Sequence, residues 1–316
     1  MLFHLNLARA FAIVLVTNSH LGEFHPWPLL ASGGMVGNCL FFICSGWSIA
    51  YALGRAPSAF LPWIRKRLLR LYFPLVVWMC LLLAVARYQP SSWTETLGLF
   101  LWPVDYWFIP AIAIYYLPVY LLATQASGRA AWYGVFAMTF ALYLTDYFWN
   151  RDLTRWSIEE SIASKLPFYL VAISVGVALG HFGLRRRVAG MVAAAAGVGY
   201  LFVHYYLKTR GVFEWQFLVQ VSGLAAATLF VGFLANYTAA TFGRRAHQLV
   251  GYLSSRAIYI YLAQVPLVTG ELHGMAAFPF NLAMVLVLTF ALAELLYRVD
   301  LPQLQLRLRG GRAAAP

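Results

Sequence analysis

Residues 31–53 read ASGGMVGNCLFFICSGWSIAYAL, twenty-three consecutive positions without a charge, followed by Arg55. A helix rises 1.5 Å per residue and the hydrocarbon core of a bilayer is about 30 Å thick, so a stretch of this length and polarity is read as a membrane-crossing helix. The rest of the 316-residue chain repeats the pattern: 62% of residues are hydrophobic, 11% are charged, and mean hydropathy is +0.70. No water-exposed surface accommodates that composition. With 11 Trp, 19 Tyr and 23 Phe the chain also carries too much apolar and aromatic material to remain unfolded in solution. The apolar runs do not alternate with period two, which argues against a barrel and for an all-α integral membrane protein.

Outward from 31–53, the apolar runs predict about ten transmembrane helices, near 3–20, 31–53, 68–86, 107–123, 130–147, 166–182, 188–206, 214–235, 249–267 and 276–296. The patch from Leu97 to Trp102 is too short to span and is expected to be re-entrant or interfacial. One alternating set of loops holds Arg55, Arg65, Lys66, Arg67, Arg70, Arg129, Arg185, Arg186, Arg187, Arg244, Arg245, Arg298, Arg307, Arg309 and Arg312. The other holds Arg87, Arg151, Arg155, Lys165, Lys208 and Arg210, with Asp152, Glu159 and Glu160 balancing its largest loop. Fifteen basic residues against six place both termini in the cytoplasm by the positive-inside rule. The net charge of +12 is thus spent on topology, and no nucleic-acid partner is expected. Cys39, Cys44 and Cys80 lie in apolar runs without metal-ligand spacing, so neither a disulfide framework nor a metal site is expected. Arg9 stands where the apolar region of a signal peptide would be, so the first run is read as a retained helix. Residues 1–298 are expected to form a single transmembrane domain and 299–316 a short basic cytoplasmic tail.

The first run, LFHLNLARAFAIVLVTNSH, carries Arg9 and His20, with Asn6 and Asn18, in a segment that must cross lipid. An arginine there is unfavourable by about 2.5–3.5 kcal/mol on insertion scales. Arg9 and His20 are eleven residues apart, about 20° from three full turns, so they share one face roughly 16 Å apart along the axis. The alternative is that Arg9 snorkels inward and His20 merely ends the helix among headgroups. In WIRKRLLRLYFP, residues 63–74, Arg67 and Arg70 share a face beside Tyr72 and Phe73, a geometry suited to phosphates with an adenine nearby; most such clusters are topology signals alone. Glu23, His25, Trp27, Asp105 and Trp107 fall in outer loops where they could contact sugar, although interfacial aromatics more often only anchor helices. Arg256 and Glu294 both fall in the inner halves of their helices and could pair, with snorkelling the alternative.

Taken in order, these segments resemble the membrane acyltransferase-3 family of polysaccharide and lipopolysaccharide O-acyltransferases. LARAFAIVLVTNSH resembles the family's arginine, ten residues, histidine signature, with Arg9 and His20 in register. GNCLFFICSGWSI resembles its glycine, Phe-Phe, Ser-Gly stretch, RKRLLRLYFP its basic segment followed by proline, DYWFIPAIAIYYL its tryptophan-bearing fourth helix, and GYLSSRAIYIYLAQVPL its late serine-to-tyrosine helix. One residue departs from the pattern, since Gln264 stands where the family usually has a histidine. An amide does not titrate, so the late helix is expected to supply no acid–base chemistry and to tolerate Gln264→Leu.

The resemblance implies an O-acyltransferase of the bacterial inner membrane, with acetyl as the expected acyl group. It implies a cytoplasmic acyl-CoA donor such as acetyl-CoA, a glycan or lipid-linked saccharide acceptor at the outer side, and no bound cofactor. In that scheme His20 is the base toward the sugar hydroxyl or a transient acyl carrier. Arg9 serves the donor path or the oxyanion, and Arg67 and Arg70 hold the CoA phosphates. Ser45 and Gly46 permit donor passage, small-residue helix packing being the stronger reading for that pair. A secondary transporter or lipid-linked sugar flippase is the competing class; against it, no paired Gly/Pro-broken helices recur in two halves.

Overall fold

The computed structural model describes residues 2–27, 30–126, 128–157, 162–183, 188–269 and 271–300. The tail beyond residue 300, Arg185 to Arg187, Glu159 and Glu160 lie outside the described residues, as do the side chains of Arg129, Glu271 and His273. Among the described residues there are no strands. The α-helices are α1 Phe3–Ser19, α2 Gly34–Arg55, α3 Phe60–Ala84, α4 Trp93–Leu101, α5 Phe108–Gln125, α6 Arg129–Asn150, α7 Ile162–Phe182, α8 Gly190–Arg210, α9 Phe217–Leu234, α10 Arg244–Val268 and α11 Phe280–Val299.

Each predicted apolar run falls on a helix of at least seventeen residues, and the Leu97–Trp102 patch belongs to the nine-residue α4. Among the described residues seven helices, α2, α3, α5, α7, α8, α9 and α11, are long and apolar enough to cross a membrane, making this a multi-pass membrane protein. In α10, Arg244, Arg245, His247, Gln248 and Arg256 dilute the apolar content. Helix α3 starts eight residues before its apolar run. Pro62 is no obstacle there, because the first turn of a helix leaves its N–H groups unbonded in any case. The basic residues from Arg65 to Arg70 are therefore already helical. The start of α4 is fixed by a capping box: Ser92 Oγ accepts from the Glu95 N–H at 3.2 Å, and Glu95 reaches back to the Ser91 N–H.

The chain divides into two compact units, and the division falls within α1, α5 and α10. The first comprises residues up to Val16, Gly33–Pro57 and Tyr115–Ser254. Here α2 packs on α7 and α9, α6 on α7, and α8 on α9. The α2–α7 crossing is backbone against backbone. A Cβ on Gly46 would sit 2.1 Å from the Ile173 carbonyl oxygen, one on Gly176 2.1 Å from the Ile43 carbonyl oxygen, and one on Gly180 2.7 Å from that of Trp47. Lipid tails are as apolar as leucine, so helices in a bilayer associate through this kind of close approach.

The second unit comprises, of the described residues, those in Thr17–Ser32, Ser58–Ile114 and 255–300. Here α3 packs on α4 and α11. Leu21, Phe24 and Val285 form a buried cluster, against which Leu267, Val268, Leu282 and Leu286 pack. Arg256 Nε meets Glu294 Oε2 at 2.6 Å, with its guanidinium 3.9 Å from the Tyr297 ring centroid, while Arg298 Nε meets Glu294 Oε1 at 2.9 Å. The two opposite charges read from α10 and α11 do pair.

Candidate active site

Helix α1 ends at Ser19, and His20 is exposed in the turn that follows, its N–H donating to the Thr17 carbonyl at 3.1 Å. That turn is anchored on both sides. Leu21 and Phe24 are buried in the cluster with Val285, and the Asn18 side-chain amide donates to the Leu30 carbonyl at 2.8 Å and the Ser32 carbonyl at 3.1 Å. Asn18 Oδ1 also lies 3.1 Å from His25 Nε2. Asn18 thus ties the turn that bears His20 to Leu30 and Ser32, and Leu21 and Phe24 anchor it in the apolar cluster.

Arg9 belongs to the other unit. Its Nη2 donates to Ser48 Oγ at 2.6 Å and to the Cys44 carbonyl at 3.4 Å, and its Nη1 to Asn6 Oδ1 at 3.4 Å. The charge that lipid would penalise is thereby dispersed over neutral acceptors on α1 and α2, with no counter-ion among the described residues. Ser45 is half-buried, and Gly46 is filled on its open side by the α7 backbone. Gly46 thus packs against the backbone of Ile173, Gly176 and Val177.

On α3, Arg67 lies over the Trp63 ring at 4.7 Å, and Arg70 is exposed. Tyr72 and Phe73 line an apolar groove of about 1040 Å³ between α3, the end of α4 and the start of α5. The basic residue on that groove is Arg65, which shares a helix face with Leu69, Tyr72 and Val76. Arg67 and Arg70 are not among its lining residues.

The segment that joins α3 to α5, with α4 in it, encloses a second cavity of about 390 Å³, lined by Tyr88, Glu95, Trp102 and Asp105 among others. Tyr88 donates to Asp105 Oδ2 at 2.5 Å, and burial together with that bond pushes the Tyr88 phenol up. The Ser91 N–H and hydroxyl hold the Glu95 carboxyl below the usual carboxylate range. Next to this cavity the turn Val104–Tyr106 is tied to α3 and α10: Trp78 Nε1 donates to Tyr106 Oη at 2.8 Å, and Tyr106 Oη donates to the Leu262 carbonyl at 3.3 Å.

A family described as an acyltransferase domain matches residues 3–298, which include Arg9, His20, Arg67, Arg70 and Gln264. The chain belongs to the acyltransferase-3 family. No curated protein and no solved structure matches it significantly. This acyltransferase-3 member is thus a membrane enzyme that transfers acyl groups, a class that requires an acyl donor and an acceptor.

Within the acyltransferase, Arg9, Ser45 and Gly46 belong to one unit and His20, Arg67 and Arg70 to the other. The structure joins Arg9 to the Cys44–Ser48 segment of α2. Ser48 was missed in the sequence because nothing local marks a serine as the partner of an arginine thirty-nine positions earlier. The Gly176–Gly180 pair was also missed, although its small-xxx-small spacing is a readable packing signal. Glu95 was missed too; only its Ser92-x-x-Glu95 capping spacing was there to be seen.

Proposed function

We propose that this acyltransferase moves an acetyl group from acetyl-CoA on the cytoplasmic side to a hydroxyl of a glycan or lipid-linked saccharide at the outer side of a bacterial inner membrane. All ten long helices cross the bilayer in this reading, with both termini cytoplasmic. The observation that carries it is the family match over residues 3–298, a span that includes Arg9 and His20. It also favours an enzyme over a transporter or flippase. His20 is the base: an unprotonated ring nitrogen takes the proton of the acceptor hydroxyl as the oxygen bonds to the thioester carbon. The C–S bond then breaks, and the CoA sulfur leaves with a proton returned from the imidazolium. An exposed imidazole on a tethered turn supports that role, since it can be reached by an acceptor while the loop behind it holds position. The cavity bearing Glu95, Asp105 and Trp102 supports an acceptor of saccharide type, because carboxylates accept from sugar hydroxyls and an indole stacks on a sugar face.

The test is transfer of labelled acetyl from acetyl-CoA to glycan by purified protein returned to lipid. Label on the glycan supports the reading, and acetyl-CoA left intact with every glycan fraction tried would overturn it. Arg67 and Arg70 serve the donor phosphates in this account, as charge-assisted donors on the cytoplasmic end of α3. Changing both to Gln is expected to weaken CoA binding about tenfold or more, with insertion intact. Titration of CoA into the inserted double variant checks this; an unchanged affinity would leave the two arginines as a topology signal only.

A further inference from the structure

Gln264 lies on α10, one helical turn before Leu267 and Val268. Its side chain is 0% exposed, and neither Oε1 nor Nε2 has a hydrogen-bond partner among the described residues. A buried amide with both functions unfilled is strongly unfavourable, whereas an apolar side chain of similar volume would fill the space without that penalty. A second unfilled group belongs to the same unit. Thr17, on α1 and one turn before Leu21, is 7% exposed, and its Oγ1 has no hydrogen-bond partner among the described residues. By contrast, Thr124, Thr139, Thr209 and Thr228 bond the carbonyl four residues back within their helices, and Thr269 does so just past the end of α10. The hydroxyl of Thr17 does not.

Leu21, Leu267 and Val268 meet in a single apolar cluster with Phe24 and Val285. Two buried, unfilled polar groups thus stand one turn before the same plug, one on each of two helices, and His20 follows Thr17 by three residues. The chemistry of the unfilled groups selects a ligand. An amide offers an acceptor in Oε1 and donors in Nε2, and a hydroxyl satisfies both kinds, donating its proton to the first and accepting from the second. A thioester carbonyl would satisfy Nε2 alone.

We infer that the Gln264 amide, with Thr17 beside the same plug, is the hydrogen-bonding site that orients the acceptor hydroxyl for His20. The inference rests on the acetyl-transfer reading above. It makes Gln264 a substrate-binding residue without acid–base chemistry, and it reverses the tolerance of Gln264→Leu expected from the sequence.

The experiment uses membranes of the source cell, which carry the native acceptor, with labelled acetyl-CoA supplied and the chromosomal copy replaced by wild type, Gln264→Leu or Gln264→His. Label on glycan, CoA binding and the thermal midpoint of the extracted protein are read in parallel. Gln264→Leu is expected to lower label on glycan about tenfold or more, with CoA binding unchanged and the thermal midpoint equal or higher. Gln264→His, whose imidazole supplies one donor and one acceptor, is expected to keep transfer within about threefold of wild type. Wild-type transfer by Gln264→Leu would overturn the inference and assign the amide to a trapped water. A loss of transfer in step with a lower midpoint and weaker CoA binding would also overturn it, in favour of a structural role. If the wild type itself places no label on glycan, the acetyl-transfer reading fails and this inference fails with it; an active wild type with an unaffected leucine variant removes only Gln264.

Discussion

His20→Ala is expected to lower acyl transfer by roughly 10²–10⁴-fold while CoA binding stays at its wild-type level, because a positioned general base contributes on that scale and acts on the acceptor proton rather than on the donor. The structure makes this variant clean. The side chain removed is exposed, whereas the turn that carries it is held by Leu21, Phe24 and the Asn18 amide, all of which the variant retains. Folding and insertion should therefore survive, and the loss should appear in turnover. If His20 forms an acyl intermediate instead, wild-type protein denatured during turnover should carry labelled acetyl and the alanine variant none, with an even larger fall in rate. Transfer by His20→Ala at the wild-type rate would remove the histidine from the mechanism.

Gly46→Leu is expected to prevent accumulation of folded protein altogether, and Gly46→Ala to lower the thermal midpoint by an amount corresponding to about 1–3 kcal/mol. The first atom of any side chain would meet the Ile173 carbonyl oxygen at 2.1 Å, and a neighbouring backbone cannot swing aside as a flexible side chain does. The crossing is shared by Gly176 and Gly180, so the strain has no open space into which to relax. Thermal unfolding of detergent-extracted protein checks the alanine variant. A wild-type midpoint would contradict the close α2–α7 contact, and an intact midpoint with weakened CoA binding would return Gly46 to the donor site.

Much of the helix layout was legible because hydrocarbon imposes it: a run such as 31–53 has no alternative to α2, and Arg256 and Glu294, each expensive alone in an apolar helix, had reason to meet. The start of α3 was not legible, since a basic, proline-bearing segment reads as loop until the permissive first turn is taken into account. Pairings between distant helices were hidden for a different reason. Ser48 on Arg9 and Gly176 on Gly46 depend on which helices touch, and apolar periodicity does not specify that when every face is apolar. Of the candidate site, Arg9 and His20 stood out because polarity in a spanning segment is conspicuous. Gln264 stood out only as a departure from a pattern, and burial with an unfilled amide gives it weight. The Tyr72 and Phe73 groove shows the limit of spacing arguments, for its lining arginine is Arg65, one face away from the pair singled out by charge.

Inverted vesicles of the source membrane give the direct test of transfer across the membrane, from an acyl-CoA on one side to a saccharide on the other. Their cytoplasmic face is outward and their native glycans are enclosed. Labelled acetyl-CoA, which cannot cross the bilayer, is added outside, and label is then sought on lumenal glycan shielded from external glycosidase. The account predicts shielded, base-labile acetyl label that depends on the protein and disappears with His20→Ala. Free acetate outside with no shielded label, or shielded label undiminished in the alanine variant, would contradict it.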